Sequence, residues 1–358
     1  MANNHKQPHI LFITRAYGPN SGGMERFSYE LVQAISKING VKTKIIAHTG
    51  SRKTSPLFIL TSIPKILSAA KHANVIHLGD PMLSFTGWLI KLIYKKPIAV
   101  SVHGLDISYP NPLYQFYLKL FFSKFNTYLP ISNYVNTLLE HKNVKGTRHV
   151  INPGIHDHFY DPSITRKELQ SILKRNNINN TILLTSGRLV KRKGHAWFIS
   201  NVLPHLPTNT LYVIAGDGPE RDNIKSTIIK NNLTKRVMLL GRVSENNLKV
   251  LYNTVDAFIQ PNIKVKNDAE GFGLVLLEAA LCNRPVFAAS TDGIPDAIQD
   301  GKNGTLITSE DSQTWIKTLN TFISQHKNSP AVTLPRTYTL NKFSWSRIAT
   351  KYATVLFN

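Results

Sequence analysis

The sequence contains a single cysteine, Cys282, among 358 residues. One thiol can form neither an internal disulfide nor a cysteine-rich zinc site, so a disulfide-stabilised domain is excluded and a reducing compartment is favoured. Long hydrophobic runs are also missing. The longest apolar window, Met82 to Tyr94, is interrupted by Lys91 and falls short of the roughly 20 residues that a membrane-spanning helix needs. The apolar run near the N-terminus, Ile10 to Ile13, has the length of a strand and is too short for a secretion signal. These absences predict a soluble, cytoplasmic protein.

Acidic residues are scarce, because 21 Asp and Glu stand against 43 Lys and Arg and leave a formal net charge of +22. Residues 1–160 contain 18 of the basic residues and only 6 of the acidic ones. A positive field of this size favours polyanions such as nucleic acid, anionic lipid headgroups or phosphorylated substrates. The sequence has no zinc-finger spacing, no aromatic run typical of RNA-binding domains and no basic tail. Nucleic acid is therefore not indicated as a partner.

The remaining composition is that of a folded protein, with 42% hydrophobic and 18% charged residues, and the length suggests two domains. Short apolar runs alternate with helical stretches, which predicts an α/β fold of parallel units. A break at Asn152-Pro153-Gly154 precedes a second series of the same kind. We therefore expect two doubly wound, Rossmann-like domains joined near residues 155–165. Ligands of such domains bind at the carboxyl ends of the strands, here predicted to face a central cleft.

Two candidate site segments lie in the first half. The first, Tyr17 to Glu25, follows the first predicted strand, and its Gly22 and Gly23 would let the backbone approach a ligand at a helix start. A tight turn explains it equally well. The second is His103, at the end of the fourth predicted strand and followed by Gly104. By itself a single histidine is more often structural than functional.

A third candidate, residues 187–194, follows the first strand of the second half and reads Gly-Arg-Leu-Val-Lys-Arg-Lys-Gly. Arg188 and Lys193 stand where a strand gives way to a loop. Two cations at such a place can neutralise a diphosphate, Arg through its planar fork and Lys as a point charge. A solvated basic turn is the alternative, and it suits Lys191 and Arg192 better than Arg188.

The fourth candidate, Asp268 to Ala280, is the most specific. Its backbone N–H groups from Gly271 through Phe272 and Gly273 to Leu274 would form an anion-binding helix start. Glu278 lies in an apolar helix, where a buried carboxylate is costly unless something donates hydrogen bonds to it. Ligand hydroxyls would do so, those of a ribose for Glu278 and those of a sugar for Glu270. Helix capping explains Glu270 at best, and it does not explain both.

Together these segments resemble the family 4 glycosyltransferases, which are retaining enzymes with the GT-B fold. The resemblance covers nearly the whole chain. It is carried by the motifs already named and by five further segments: Ile131-Ser132, Asn152 to Ile155, Ala215 to Pro219, Leu240 to Val243 and the closing Phe343-Ser344-Trp345. It implies an N-terminal acceptor-binding domain over 1–160, a nucleotide-sugar-binding domain over 161–340 and a helix over 341–358 that returns to the first domain.

The resemblance implies a hexosyltransferase that uses a nucleotide-diphosphate sugar and needs no cofactor. The leaving group would be a nucleoside diphosphate, so preorganised positive charge at its oxygens is the main contribution to rate. No metal is expected, since Arg and Lys supply this charge and the chain lacks a DxD motif. No protein nucleophile is assigned. By position, the catalytic and donor-binding residues would be Gly22, Gly23, His103, Arg188, Lys193, Glu270, Gly271, Phe272, Gly273, Leu274 and Glu278.

In that assignment Glu278 holds the ribose, Glu270 the donor-sugar hydroxyls, and His103 the transferred sugar near its C6 hydroxyl. Arg188 and Lys193 hold the diphosphate together with the backbone at Gly273 and Leu274, and the Gly22-Gly23 loop closes over the donor. One departure is the long basic approach to Glu270, Asn262 to Asn267, which could reach either the donor sugar or the acceptor.

The acceptor is expected to be a glycan or a lipid-linked molecule of bacterial-type polysaccharide, lipopolysaccharide or glycolipid synthesis. Apolar and aromatic stretches flanked by lysines can lie on anionic membranes, or can simply cover the sheet. Three such stretches occur in the first half: Lys65 to Lys71, Trp88 to Lys96 and Leu113 to Phe125. With the positive charge of that half they predict peripheral attachment to the inner face of the cytoplasmic membrane. Two other functions stay open, a nucleotide-sugar epimerase of the same fold and a non-catalytic polyanion-binding protein.

Overall fold

A computed structural model describes residues 7–19, 22–50, 54–175, 179–326 and 335–358. The chain divides into two compact units. The first comprises Met1–Gly154 and Phe343–Asn358, and the second comprises Ile155–Lys342. Whether residues 1–160 bind the acceptor and residues 161–340 the donor stays a prediction.

The first unit is a parallel sheet covered by helices. Its strands are His9–Thr14 (β1), Lys42–Ala47 (β2), Val75–Leu78 (β3), Ile98–Val102 (β4), Thr127–Pro130 (β5) and Thr147–Arg148 (β6). Its helices up to the end of β6 are Gly23–Ser36 (α1), Ser55–Thr61 (α2), Ile63–Ala70 (α3), Ser84–Tyr94 (α4), Leu105–Ser108 (α5), Pro112–Phe121 (α6) and Asn133–Glu140 (α7). Every residue of β3 and β4 is buried, as expected for strands covered by helices on both faces.

The second unit repeats this plan. Its strands are Thr181–Ser186 (β7), Thr210–Ala215 (β8), Val237–Gly241 (β9), Ala257–Gln260 (β10), Val286–Ser290 (β11) and Thr305–Thr308 (β12). Its helices are Arg166–Leu173 (α8), His195–Asn201 (α9), Arg221–Lys230 (α10), Glu245–Thr254 (α11), Leu274–Leu281 (α12), Ile294–Ala297 (α13), Ser312–His326 (α14) and Pro335–Phe343 (α15). A last helix, Trp345–Phe357 (α16), belongs to the first unit.

The strand order locates the ligand-binding edge of each sheet. Among the described residues the orders are β2-β1-β3-β4-β5-β6 and β12-β11-β10-β7-β8-β9, and every pair is parallel. The direction of winding reverses between β1 and β3 in the first sheet and between β7 and β10 in the second. Doubly wound sheets bind ligands outside the carboxyl ends of the strands at such a reversal. The predicted fold class, two doubly wound domains, is confirmed.

The closing helix α16 packs against α1 within the first unit, as predicted. Trp345 donates a hydrogen bond from its indole nitrogen to a carboxylate oxygen of Glu30 at 2.6 Å. The ring of Phe27 lies 5.9 Å from that of Trp345 and 6.4 Å from that of Tyr352. This helix therefore completes the hydrophobic core beside α1. No helix among the described residues is long and apolar enough to cross a membrane.

Candidate active site

The loop after β7 is hydrogen-bonded to the end of β8 and to the loop that follows it. The Gly187 N–H donates to the Ala215 carbonyl at 2.9 Å, and the Leu189 N–H donates to the Asp217 carbonyl at 3.0 Å. These bonds join it to the Ala215 to Pro219 segment quoted above. At its far end the Arg192 carbonyl accepts from Ile263, in the loop after β10, at 2.9 Å. The two loops that flank the reversal between β7 and β10 are thus joined.

Lys193 and Glu270, which come from these two loops, form an ion pair. The Lys193 ammonium lies 2.7 Å from a Glu270 carboxylate oxygen, and the side chains are 8% and 12% exposed. The same oxygen lies 3.6 Å from Nε of Arg192 and accepts from the Asn262 amide at 3.5 Å. Arg192 makes a second ion pair, with Asp268, at 2.7 Å. The structure therefore brings Lys193 and Glu270 together, although the sequence assigned them to different parts of the donor.

The surrounding cations keep Glu270 ionised. Burial by itself would raise the pKa of this carboxyl group, but Lys193 and Arg192 outweigh burial and hold the pKa below its ordinary value. The backbone of Glu270 is fixed as well, since its N–H donates to the Asp292 carboxylate at 3.0 Å and its carbonyl accepts from Gly293 at 2.9 Å. Burial raises the pKa of Asp292, and the charge of Glu270 adds to that rise. A carboxylate held in this way can accept hydrogen bonds from sugar hydroxyls.

The start of α12 directs backbone N–H groups toward the same edge of the sheet. Gly273 caps this helix with a φ of 93°, a conformation that residues with a side chain rarely adopt. The first N–H groups of a helix have no carbonyl within it to bond, so those at Leu274 and beyond can meet an anion. Gly293 allows the loop before the helix to approach closely, because a Cβ there would lie 2.0 Å from the Gly271 carbonyl oxygen.

Glu278 lies one turn further along α12, where its carboxylate is buried and 6% exposed. It accepts a hydrogen bond from the Tyr252 hydroxyl at 2.8 Å, and that hydroxyl lies 2.7 Å from Oγ of Ser186, the last residue of β7. Burial and the neighbouring carboxylate raise the pKa of Tyr252 well above its ordinary value, so the hydroxyl stays protonated and donates. The sequence predicted that the buried Glu278 carboxylate accepts hydrogen bonds, but it did not identify Tyr252 as a donor.

Other predicted donor-site residues are placed as follows. Arg188 is exposed at the end of β7, and no ion pair to it is found in the described parts of the chain. Phe272 is buried, 3% exposed, beside the start of α12. Gly22 caps α1 and is exposed, as is Gly23. Asn20 and Ser21, which precede them in the predicted loop, lie outside the described residues.

His103 lies at the carboxyl end of β4 in the first unit. Its Nε2 lies 3.1 Å from the Gly79 carbonyl oxygen, and because a carbonyl only accepts, this contact requires a proton on Nε2. The Phe27 ring meets the imidazole edge-on at 5.0 Å. Asp106 caps the loop by accepting from the N–H groups of His103 and Gly104 at 2.8 and 2.7 Å. The imidazole is therefore oriented, with Nδ1 the nitrogen that can accept a hydrogen bond from a ligand.

Four residues of the donor-side arrangement were missed from the sequence: Ser186, Tyr252, Asp292 and Gly293. Asp292-Gly293 could have been found, because an acidic residue and a glycine in the loop that follows a largely buried strand, here one residue beyond the end of β11, are typical of a binding loop. Tyr252 had no such signal, since an aromatic residue at helical spacing is ordinarily part of the core.

The profiles of two glycosyltransferase families match this chain. "Glycosyltransferase Family 4" matches residues 21–159, and "Glycosyl transferases group 1" matches residues 167–332. The chain belongs to the group 1, family 4 glycosyltransferases. It is therefore a glycosyltransferase, and members of this family use nucleotide-sugar donors.

Individual relatives agree with this membership. An uncharacterized glycosyltransferase of Methanocaldococcus jannaschii is 26% identical over 287 residues, which cover 75% of this chain and 71% of the relative. A GDP-mannose-dependent alpha-(1-6)-phosphatidylinositol monomannoside mannosyltransferase of Mycolicibacterium smegmatis is 25% identical over 182 residues. That match covers 49% of this chain, which spans about half the length of the mannosyltransferase.

Solved structures show the same fold. HepE of Anabaena, determined with UDP and glucose, superposes with a TM-score of 0.74 over 98% of this chain and 99% of its own, at 20% identity. HepE was also determined with UDP-glucose. At this identity the likeness establishes the GT-B fold of the present chain.

Proposed function

We propose that this glycosyltransferase moves a hexose-type sugar, with retention of anomeric configuration, from a nucleotide-diphosphate sugar to a glycan or lipid-linked acceptor. The observation that carries the proposal is the Lys193–Glu270 pair beside the start of α12. It combines a cation, a fixed carboxylate and backbone N–H donors at the reversal of strand order, and these are the groups that a sugar diphosphate needs.

The diphosphate is held by Arg188, Lys193 and the backbone at Gly273 and Leu274. Negative charge grows on the leaving diphosphate as the glycosidic bond breaks, so fixed donors at its oxygens lower the barrier. Arg188 is suited to this role because it is exposed and its guanidinium can form two parallel bonds to a phosphate. Two cations and a helix start supply the neutralising charge, and we propose that the reaction needs no metal.

The other predicted residues bind hydroxyl groups. Glu270 accepts from the donor sugar, and its ionised state, maintained by the neighbouring cations, makes it a strong acceptor. Glu278 accepts from the ribose, with Tyr252 orienting the carboxylate. His103 of the first unit contacts the transferred sugar through Nδ1, and the loop at Gly22 and Gly23 closes over the donor. No side chain acts as nucleophile; the leaving phosphate takes up the acceptor proton.

Two carboxylate variants test these roles. Glu278→Ala should weaken binding of the free nucleotide, whereas Glu270→Ala should leave free-nucleotide binding near that of the original protein and reduce sugar transfer. Calorimetric titration with UDP and GDP identifies the nucleotide, and transfer is then followed with the matching nucleotide sugar. Circular dichroism on both variants shows that they are folded. Equal nucleotide affinity in both folded variants and the original protein would contradict the assignment of Glu278 to the ribose.

The acceptor is proposed to be lipid-linked, with the enzyme attached peripherally to an anionic membrane. The mannosyltransferase relative is named for phosphatidylinositol monomannoside, and the first unit exposes large apolar side chains on several helices, α4 and α6 among them. Leu92 and Ile93 of α4 are exposed, as are Leu113, Phe116 and Leu120 of α6. The segment from Lys65 to Lys71 does not contribute an apolar face of this kind, because Ile66, Ala69 and Ala70 are buried in the core.

A further inference from the structure

The carboxyl end of β10 carries a buried side-chain amide that lacks a hydrogen-bond partner. Gln260, the last residue of this strand, is 0% exposed. Neither its Oε1 nor its Nε2 is hydrogen-bonded to any group in the described part of the chain. A buried carboxamide without partners is costly, because the hydrogen bonds that it makes to water in the unfolded chain are not replaced. Such a group calls for an explanation, and a ligand that supplies the missing partners is one.

The Gln260 amide lies against the start of α12, where the proposed function places the diphosphate. Gly273 caps this helix, and a Cβ added there would lie 3.5 Å from Nε2 of Gln260. Because glycine has no Cβ, no side chain at this position separates the amide from the beginning of the helix. The free N–H groups of the first turn can bind an anion. The Nε2 hydrogens of Gln260 add two further donors beside them.

On its other side Gln260 adjoins the hydrogen-bonded network of Glu278. Strands β7 and β10 are parallel neighbours, and the Thr185 hydroxyl donates to the Ile259 carbonyl at 2.6 Å. The residues that follow these two, Ser186 and Gln260, therefore lie side by side on one face of the sheet. Oγ of Ser186 lies 2.7 Å from the tyrosine hydroxyl that donates to the Glu278 carboxylate. Gln260 thus lies between the start of α12 and the residues proposed to hold the ribose.

A second buried amide lies two residues further along the chain. The Asn262 amide nitrogen donates to Glu270 at 3.5 Å, but its Oδ1 has no hydrogen-bond partner among the residues that the structure describes. Asn262 is also 0% exposed. A strand end that only covered the core would carry apolar side chains at both positions, as it does at Phe258. Unpartnered amide atoms at the reversal of strand order favour a ligand rich in polar oxygens.

The two polar atoms of Gln260 define the chemistry of that ligand. Nε2 only donates and Oε1 only accepts, so the ligand must offer an acceptor and a donor close together. A nucleoside diphosphate has both where its phosphate joins the ribose, because phosphate oxygens accept and ribose hydroxyls donate. A free anion such as inorganic phosphate would satisfy Nε2 alone.

We propose that Gln260 is a further donor-binding residue, whose amide donates to the diphosphate and accepts from the ribose of the bound nucleotide. The inference rests on the proposed function, which places a nucleoside diphosphate at the start of α12. Binding of the nucleotide supplies the partners that the amide lacks, so the unfavourable burial of this amide in the free protein is relieved in the complex. The amide thereby strengthens nucleotide binding without adding charge.

The test replaces the amide of Gln260 with an apolar chain of similar length in the full-length protein. Calorimetric titration with UDP and GDP identifies the nucleotide, and Gln260→Met should lower the affinity for it at least tenfold, because polar contacts to a charged ligand are lost. Without nucleotide, the midpoint of chemical denaturation should not fall, because the substitution removes a buried group that has no partner. Gln260→Leu is a second apolar replacement and should give the same two results.

Thr210→Val is the matched control in the same sheet. Thr210 is 0% exposed, its hydroxyl has no hydrogen-bond partner among the described residues, and it begins β8 at the amino end of the strands. Valine keeps the shape of the side chain and removes the unpartnered oxygen. The midpoint of denaturation should therefore not fall in this variant either, whereas its nucleotide affinity should equal that of the original protein.

Three results would overturn the role of Gln260 alone. The first is an unchanged nucleotide affinity in Gln260→Met, and the second is an equal loss of affinity in Thr210→Val, because the loss would then come from repacking of the core. The third is a lower midpoint of denaturation, or a failure to fold, in both apolar variants of Gln260, since the amide would then have a partner within the protein. If the original protein binds neither UDP nor GDP, the proposed function fails and this inference fails with it.

Discussion

Removing either member of the Lys193–Glu270 pair should destabilise the second unit, and removing Glu270 should cost more than removing Lys193. In Glu270→Gln the Lys193 side chain, which is 8% exposed, loses its partner, and no other carboxylate among the described residues lies within ion-pair distance of it. In Lys193→Met the Glu270 carboxylate still has Nε of Arg192 at 3.6 Å and the Asn262 amide at 3.5 Å. Removing the acid therefore leaves an uncompensated charge, whereas removing the lysine does not.

These contacts set the expected magnitudes. A single hydrogen bond to a charged group contributes about 1.5–3 kcal/mol, which is the loss expected in Lys193→Met. Leaving a buried charge without its partner costs about 3–5 kcal/mol, and Glu270→Gln should fall at the lower end because Lys193 keeps some access to water. The double variant should lose less than the sum of the two single losses, with a coupling free energy of about 1–3 kcal/mol.

Guanidinium unfolding followed by tryptophan fluorescence measures these losses. The curves are fitted with a separate transition for each unit, because a chain of two units need not unfold in one step. The pH dependence gives an independent check. Since the pKa of folded Glu270 lies below 4.5, its stabilisation is complete above that pH and is lost as pH falls through the folded-state pKa. The gap in unfolding free energy between the original protein and Glu270→Gln should be constant from about pH 6 to 8 and narrow below 4.5.

The reasoning would be refuted by a double-variant cycle that is additive within about 0.5 kcal/mol, because the two side chains would then not interact. A larger loss in Lys193→Met than in Glu270→Gln would also refute it, since the asymmetry follows from the neighbours of each group. A gap that widens in acid would contradict the direction of the Glu270 pKa shift.

Three further outcomes are expected. Tyr252→Phe removes the hydroxyl that donates to the buried Glu278 carboxylate, so the free energy of unfolding measured by chemical denaturation should fall by about 1.5–3 kcal/mol. A change below about 0.5 kcal/mol would show that this hydrogen bond is unimportant for stability. Sugar transfer should survive excess EDTA, because side-chain cations neutralise the diphosphate; abolition by EDTA and recovery with manganese would contradict the proposed mechanism. Binding to vesicles should rise with anionic lipid and fall with salt. Replacing Lys91, Lys95 and Lys96, around the end of α4, together should weaken this binding at least tenfold, since each basic residue near such a surface contributes about 1 kcal/mol. Equal binding to neutral vesicles would exclude the attachment.

Much of the fold could be predicted from local pattern. Strand β1 is an example, because a parallel strand covered on both faces is a continuous apolar run, and Ile10 to Ile13 form such a run between polar ends. Two strands of the described chain had no such signal. Both residues of β6 are exposed, and β12 buries only one of its four, so neither shows an apolar run in the sequence.

Candidate site residues could be predicted for a related reason. Loops that follow parallel strands meet at one edge of a sheet, so glycines, cations and carboxylates at strand ends can be assigned to a site without knowing the strand order. This reasoning selected Lys193 and Glu270 separately. That they form one ion pair depends on β7 and β10 being neighbours, and strand order is set by long-range packing that no local pattern encodes.

For the surface of the first unit, too, the sequence determined one part and tertiary packing decided the other. Three lysine-flanked apolar stretches are alike in sequence, yet α3 buries Ile66 in the core while α6 leaves Leu113 and Phe116 exposed. Composition determined that the first half is basic, and the spacing of apolar residues determined that its helices are amphipathic. Which apolar face covers the sheet and which meets the solvent was decided only by the tertiary structure, because each helix is oriented by the side chains packed against it from elsewhere in the chain.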